Sequence, residues 1–102
     1  MRVIADIAII PLGVGLSLSR YVAACEQVLT DAGLEPRLHP NGTNVEGDWD
    51  AVMGGLKRCH EVLHEMGVPR VSTNVRLGTR TDRGQTMDDK LASVRSKIGS
   101  VD

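Results

Sequence analysis

"HPNGTNVEGDWD", residues 39–50, reads in succession as a turn, a short strand and the start of a helix. Asn41-Gly42 is a strong turn signal, and it stands between two segments of strand character, "LEPRLHP" (34–40) and "TNVEG". The two form a hairpin. Pro36 and Pro40 lack the N–H that a central ladder needs, so the first arm belongs at a sheet edge. Asp48 or Asp50 can cap the helix that follows, in which Val52, Leu56, Cys59, Leu63 and Met66 recur at spacings of four and three until Gly67 stops it.

The flanks of the hairpin complete the pattern. Upstream, "VIADIAII" (3–10) is a buried strand ended by Pro11 and Gly13. After the loop "GVGLSLS", Ser17 or Ser19 can cap a helix striped by Val22, Cys25 and Leu29 and stopped by Gly33. Downstream, "RVSTNVRLGTRT" (70–81) alternates Val71, Thr73, Val75 and Leu77 against polar residues, as a half-buried strand does. A last helix, capped near Thr86, carries the stripe Met87, Leu91, Val94 and Ile98. The order is βαββαβ with an added C-terminal helix. The expected fold is an α+β ferredoxin-like sandwich with a four-stranded antiparallel sheet, one domain over residues 1–102.

The first strand has apolar residues on both alternations: Val3, Ala5, Ile7 and Ile9 on one, Ile4, Ala8 and Ile10 on the other. Helices cover only one face of such a sheet. Burying an Ile contributes about 1.5–3 kcal/mol, so the second face is expected to drive self-association into a homodimer or homotetramer through the sheet.

Composition excludes several classes of partner. A formal net charge of −1 gives no field to attract nucleic acid or an anionic membrane, and Trp49 and Tyr21 alone cannot build a base-stacking platform. The N-terminal apolar run is too short to span a bilayer and lacks a cleavage site, so a cytoplasmic protein is expected. Cys25 and Cys59 fall on apolar helix faces and read as reduced core thiols.

In this topology the first two strands run parallel, so the loop after the first strand and the hairpin share one end of the sheet. Ser17, Ser19, Asn41, Gly42, Thr43, Asn44 and Glu46 are therefore the expected ligand-binding residues, with "MGVPR" (66–70) nearby. Hydroxyls, amides and one carboxylate suit a small polar or cationic ligand better than they suit catalysis. "HEVLH" (60–64) matches the zincin pattern letter for letter, which would make His60 and His64 zinc ligands and Glu61 a base. A third ligand is missing downstream and the chain is short for a protease, so an amphipathic helix with two ordinary histidines is the preferred reading. "GVG" lacks the spacing of a dinucleotide loop. No metal or cofactor is expected; the alternative functions are a metal-dependent hydrolase using "HEVLH" and an oligomeric structural or regulatory subunit.

"PLGVGLSLSRYVA", "HPNGTNVEGDWD", "RVSTNVRLGTRTD" and "DDKLASV" together resemble the MTH1187/YkoF-like, or thiamine-binding protein, family. The Gly42-Thr43-x-x-Glu46-Gly47 hairpin is the most specific part. The resemblance implies a ferredoxin-like protein that assembles through its sheets and binds thiamine or a related pyrimidine at the hairpin end. Where that family usually has Met before the Gly-Thr pair, this chain has Asn41, and Gly78 and Thr79 precede Arg80 where acidic residues are common.

Overall fold

The computed structural model describes residues 1–99, and the end of the expected 1–102 domain lies outside the described residues. Seven elements follow in the order β1 (Arg2–Leu12), α1 (Ser19–Asp31), β2 (Arg37–His39), β3 (Gly42–Asp48), α2 (Trp49–Glu65), β4 (Arg70–Gly78) and α3 (Met87–Arg95). The sheet has four strands in the order β2-β3-β1-β4, and each neighbouring pair is antiparallel. This is the ferredoxin-like α+β arrangement, with β2 at one edge, shortened to three residues between Pro36 and Pro40, which flank the strand.

Helices α1 and α2 pack on one face of the sheet. Val3, Ala5 and Ile7 of β1, Val45 of β3, Cys25 and Leu29 of α1, and Val52, Cys59 and Leu63 of α2 form the core. The apolar stripes of both helices face inward, because an amphipathic helix gains most by burying its apolar side against the sheet. Both cysteines sit in this core as free thiols. The Cys59 thiol is pushed up from its ordinary value by a hydrogen bond with Cys25 and then by burial. Gly55 lets α2 come close to its neighbours, since a Cβ there would lie 2.9 Å from Leu34 Cδ1.

Three local expectations shift. β1 does not stop before Pro11 but runs through it to Leu12. The β1–β3 register extends only from Arg2 to Ile7, whereas β4 pairs with β1 as far as Leu12. Pro11 therefore lies where one side of β1 has no strand partner, and its missing N–H costs no ladder bond. The hairpin turn falls on Pro40 and Asn41, with Gly42 already in β3. Gly42 is not among the residues with positive φ; its lack of a side chain serves close approach instead, as a Cβ would sit 2.7 Å from the Ile7 carbonyl oxygen. Finally, Leu18 rather than a serine occupies the N-cap of α1, and Asp48 caps α2 without a side-chain hydrogen bond.

The C-terminal helix is capped as the sequence predicts, by a Thr86–Asp89 capping box. Met87 is buried, but Leu91, Val94 and Ile98 are exposed. The second face of β1 is less uniformly apolar than its aliphatic residues imply: Asp6 shares it with Ile4, Ala8 and Ile10, beside Arg76 of β4 and Asn44 of β3. No helix among the described residues is long and apolar enough to cross a membrane.

Candidate functional site

Where β1 outruns β3, its backbone edge on that side has no strand partner, and the hairpin and α1 stand over it. A cleft of about 250 Å³ lies there, walled by Ile7, Val22 and Leu38 and reaching Asn41, Gly42 and Thr43. A shallower depression continues it across α1, past Ser19, Ala23 and Glu26. The two share Val22, Leu38, His39 and Pro40, so they form one surface feature between helix and hairpin.

The period of two in a strand divides the expected site. Thr43 faces the helices, is buried, and its hydroxyl donates to Glu26 Oε1 at 3.0 Å. Asn44 and Glu46 face the opposite side of the sheet. The Asn44 amide makes a long 3.5 Å contact to the Ala5 carbonyl, and Glu46 Oε2 accepts the backbone N–H of Met87 at 2.9 Å. Arg2 adds a distant ion pair to Glu46 at 3.8 Å. Glu46 stands three residues beyond Thr43, about 10 Å along an extended strand, and so belongs to the other end of the sheet. Of the remaining residues, Asn41 and Gly42 line the cleft, Ser19 lines its outer continuation, and Ser17 lies in the exposed loop before α1. The loop after β1 does meet "MGVPR": a Cβ on Gly13 would lie 3.0 Å from Pro69.

Two residues at this end went unnoticed in the sequence. His39 accepts the Asn41 N–H on Nδ1 at 3.3 Å, which leaves Nε2–H to donate to Asp6 Oδ1 at 2.7 Å. This chain of bonds ties the turn to β1. Glu26 is the other, and its signal was available: Val22, Glu26 and Leu29 fall at i, i+4 and i+7, placing a carboxylate on an apolar stripe.

The "HEVLH" histidines are each engaged. His60 Nε2 meets the Thr73 hydroxyl and His64 Nδ1 donates to the Val68 carbonyl at 2.8 Å. Among the described residues no three His, Cys, Asp or Glu side chains gather as a metal site.

The sequence matches the model of the family "Thiamine-binding protein" over residues 5–95. The chain belongs to this family. It is 54% identical over 96 residues to a UPF0045 protein of Synechocystis sp., covering 94% of this chain and 79% of that one. A UPF0045 protein of Eremothecium gossypii is 40% identical, with 96% and 94% covered. The crystal structure of the hypothetical protein MJ1052 of Methanocaldococcus jannaschii superposes with a TM-score of 0.85 at 32% identity, covering 92% of this chain and 96% of that one. A candidate thiamine biosynthesis/salvage protein from Thermotoga maritima shares the fold, with a TM-score of 0.78 at 20% identity over 93% of this chain and 100% of that one. Membership supports a small-molecule-binding role and leaves the ligand to chemistry.

Proposed function

We propose that this single ferredoxin-like domain is a non-enzymatic, cytoplasmic binder of thiamine or a related pyrimidine such as hydroxymethylpyrimidine. The observation that carries the reading is the cleft where β1 outruns β3. Its aliphatic walls would stack against a flat ring, and Asn41, the Thr43 hydroxyl and the unpaired edge of β1 offer the few polar groups that orient a ligand. At about 250 Å³ it falls just below the roughly 300–1,000 Å³ usual for ligand sites, so one protomer accommodates a single ring.

A homodimer or homotetramer would extend that site. Ile4, Ala8 and Ile10 on the uncovered sheet face, and the exposed Leu91 and Val94 of α3 with Ile98 just beyond it, are the apolar surfaces a second copy would cover.

Calorimetry with thiamine and with hydroxymethylpyrimidine tests the reading, and light scattering on the same sample gives the assembly. Saturable heat with at least one ligand and a mass above that of one chain are expected. No heat from either at millimolar concentration would reject the ligand class, and a monomer would reject the sheet interface.

A further inference from the structure

Glu26 is a half-buried carboxylate on α1 that lines the outer part of the cleft. Its Oε1 accepts the Thr43 hydroxyl, while its Oε2 is buried and has no hydrogen-bond partner. A buried carboxylate oxygen without a donor is costly, because it has lost water and gained nothing. Val22, Leu38 and Pro40 in the same depression have no side-chain donor, and the two lining residues that do, Ser19 and His39, make no hydrogen bond to this oxygen, His39 being engaged with Asp6 and Asn41. The buried Thr43 hydroxyl needs an acceptor, which an uncharged amide would supply as well as an acid. Leu29 and Cys25 of the same helix fill the core without one.

We infer that Glu26 is the ligand's counter-charge, a specificity-determining residue for a flat ring bearing a positive charge or an amidine-like N–H edge. This rests on the binding reading above and names the group in the site that selects the ligand. Three placements converge on it. Thr43, which reaches the deep cleft, fixes one carboxylate oxygen and so orients the other. The second oxygen has an unmet need for an N–H donor, which an aminopyrimidine or an amidinium supplies once the half-buried side chain turns that oxygen out to the depression. Glu46, the acid that the hairpin sequence advertises, is already committed to Met87 and Arg2 at the far end of the sheet.

The role has a signature that a structural role lacks. Glu26→Gln keeps the bond to Thr43 but removes the orphaned charge, so the free protein should melt no lower than wild type, and its affinity should fall about tenfold or more, the usual loss for a charged hydrogen bond. A residue that merely supported the fold would give the reverse.

The test titrates wild type, Glu26→Gln and Glu46→Gln with thiamine and with benzamidine, an amidinium on a single ring, and records a thermal melt of each free protein. Loss of binding in Glu26→Gln only, with its melting temperature held or raised, is the expected result. If wild type binds benzamidine through Glu26 and ignores thiamine, the inference stands and the thiamine reading falls. If Glu26→Gln binds thiamine as wild type does, or melts lower with affinity intact, the inference falls and the reading stands. If wild type binds neither probe, both fall.

Discussion

At the hairpin end of the sheet β1 continues without β3, a cleft opens beside it, and Glu26 keeps a buried oxygen unpaired. At the opposite end the segment leading into α3 closes over the strands: Met87 is buried, its N–H meets Glu46, and Arg37 pairs with Asp88 at 2.9 Å. Both ends contain a glutamate, and the contrast between them shows how function separates from architecture. Glu46 is satisfied by the chain itself and holds the chain together, whereas Glu26 is half-satisfied and so has something left to offer.

Changing Gly42 should break this contrast most severely. In Gly42→Ala the new methyl would lie 2.7 Å from the Ile7 carbonyl oxygen and 3.2 Å from Asp6 Oδ1, and a backbone atom of the central sheet cannot step aside. We expect a loss of about 1–3 kcal/mol in urea denaturation, together with weakened binding, because the hairpin must lift away from the cleft. A variant within about 0.5 kcal/mol of wild type would show that the close approach does not build the site.

Glu46→Ala sharpens the same comparison from the other end. The Met87 N–H, partly buried, loses its acceptor, and a loss of about 1–2 kcal/mol follows from an unsatisfied donor. Ligand affinity should stay at the wild-type value. A drop in affinity larger than the drop in stability would return Glu46 to the binding site and undo the assignment of the two ends.

Why the sequence showed the fold more fully than the site follows from the range over which each is specified. The stripes Val22-Cys25-Leu29 and Val52-Cys59-Leu63 are local periodicities, and all of these positions but Val22, which is half-buried in the cleft wall, are buried in the structure. The edge position of β2 agrees with Pro36 and Pro40, which flank it. Glu46 parts from Thr43 because neighbours in sequence need not be neighbours in space: from Thr43 the strand runs on through Asp48, carrying Glu46 to the far end and to the other face. The cleft itself depends on β1 being longer than β3, a difference in pairing that no single segment encodes. Pro11 marked it faintly, since a proline within a strand implies an unpaired side.

The smallest effect is expected in the loop between β4 and α3, which lies at the closed end but whose Arg80 contacts are apart from the Glu46–Met87 bond. Arg80 forms a fork with Asp82, donating from Nε at 2.6 Å and from a terminal nitrogen at 2.7 Å, and reaches Gln85 as well. The hydrogen bonds from Arg80, more than its charge at a distance, lower the Asp82 carboxyl from an ordinary 3.8 to about 2. Because the folded value is the lower one, the fork favours the folded loop above pH 3.8 and that contribution is lost as the pH falls towards about 2. The group is fully exposed, so the effect is confined to the loop and global stability should not register it. In Arg80→Ala, carboxyl titration by NMR should find Asp82 moved up towards its ordinary range, the backbone hydrogen bond and the Arg83 charge still holding it somewhat low, with urea midpoint and ligand affinity unchanged. An unchanged titration would mean that the loop backbone rather than Arg80 holds the proton off. A shifted affinity would instead tie this loop to the cleft on the other side of the molecule, and the separation of the two ends would have to be abandoned.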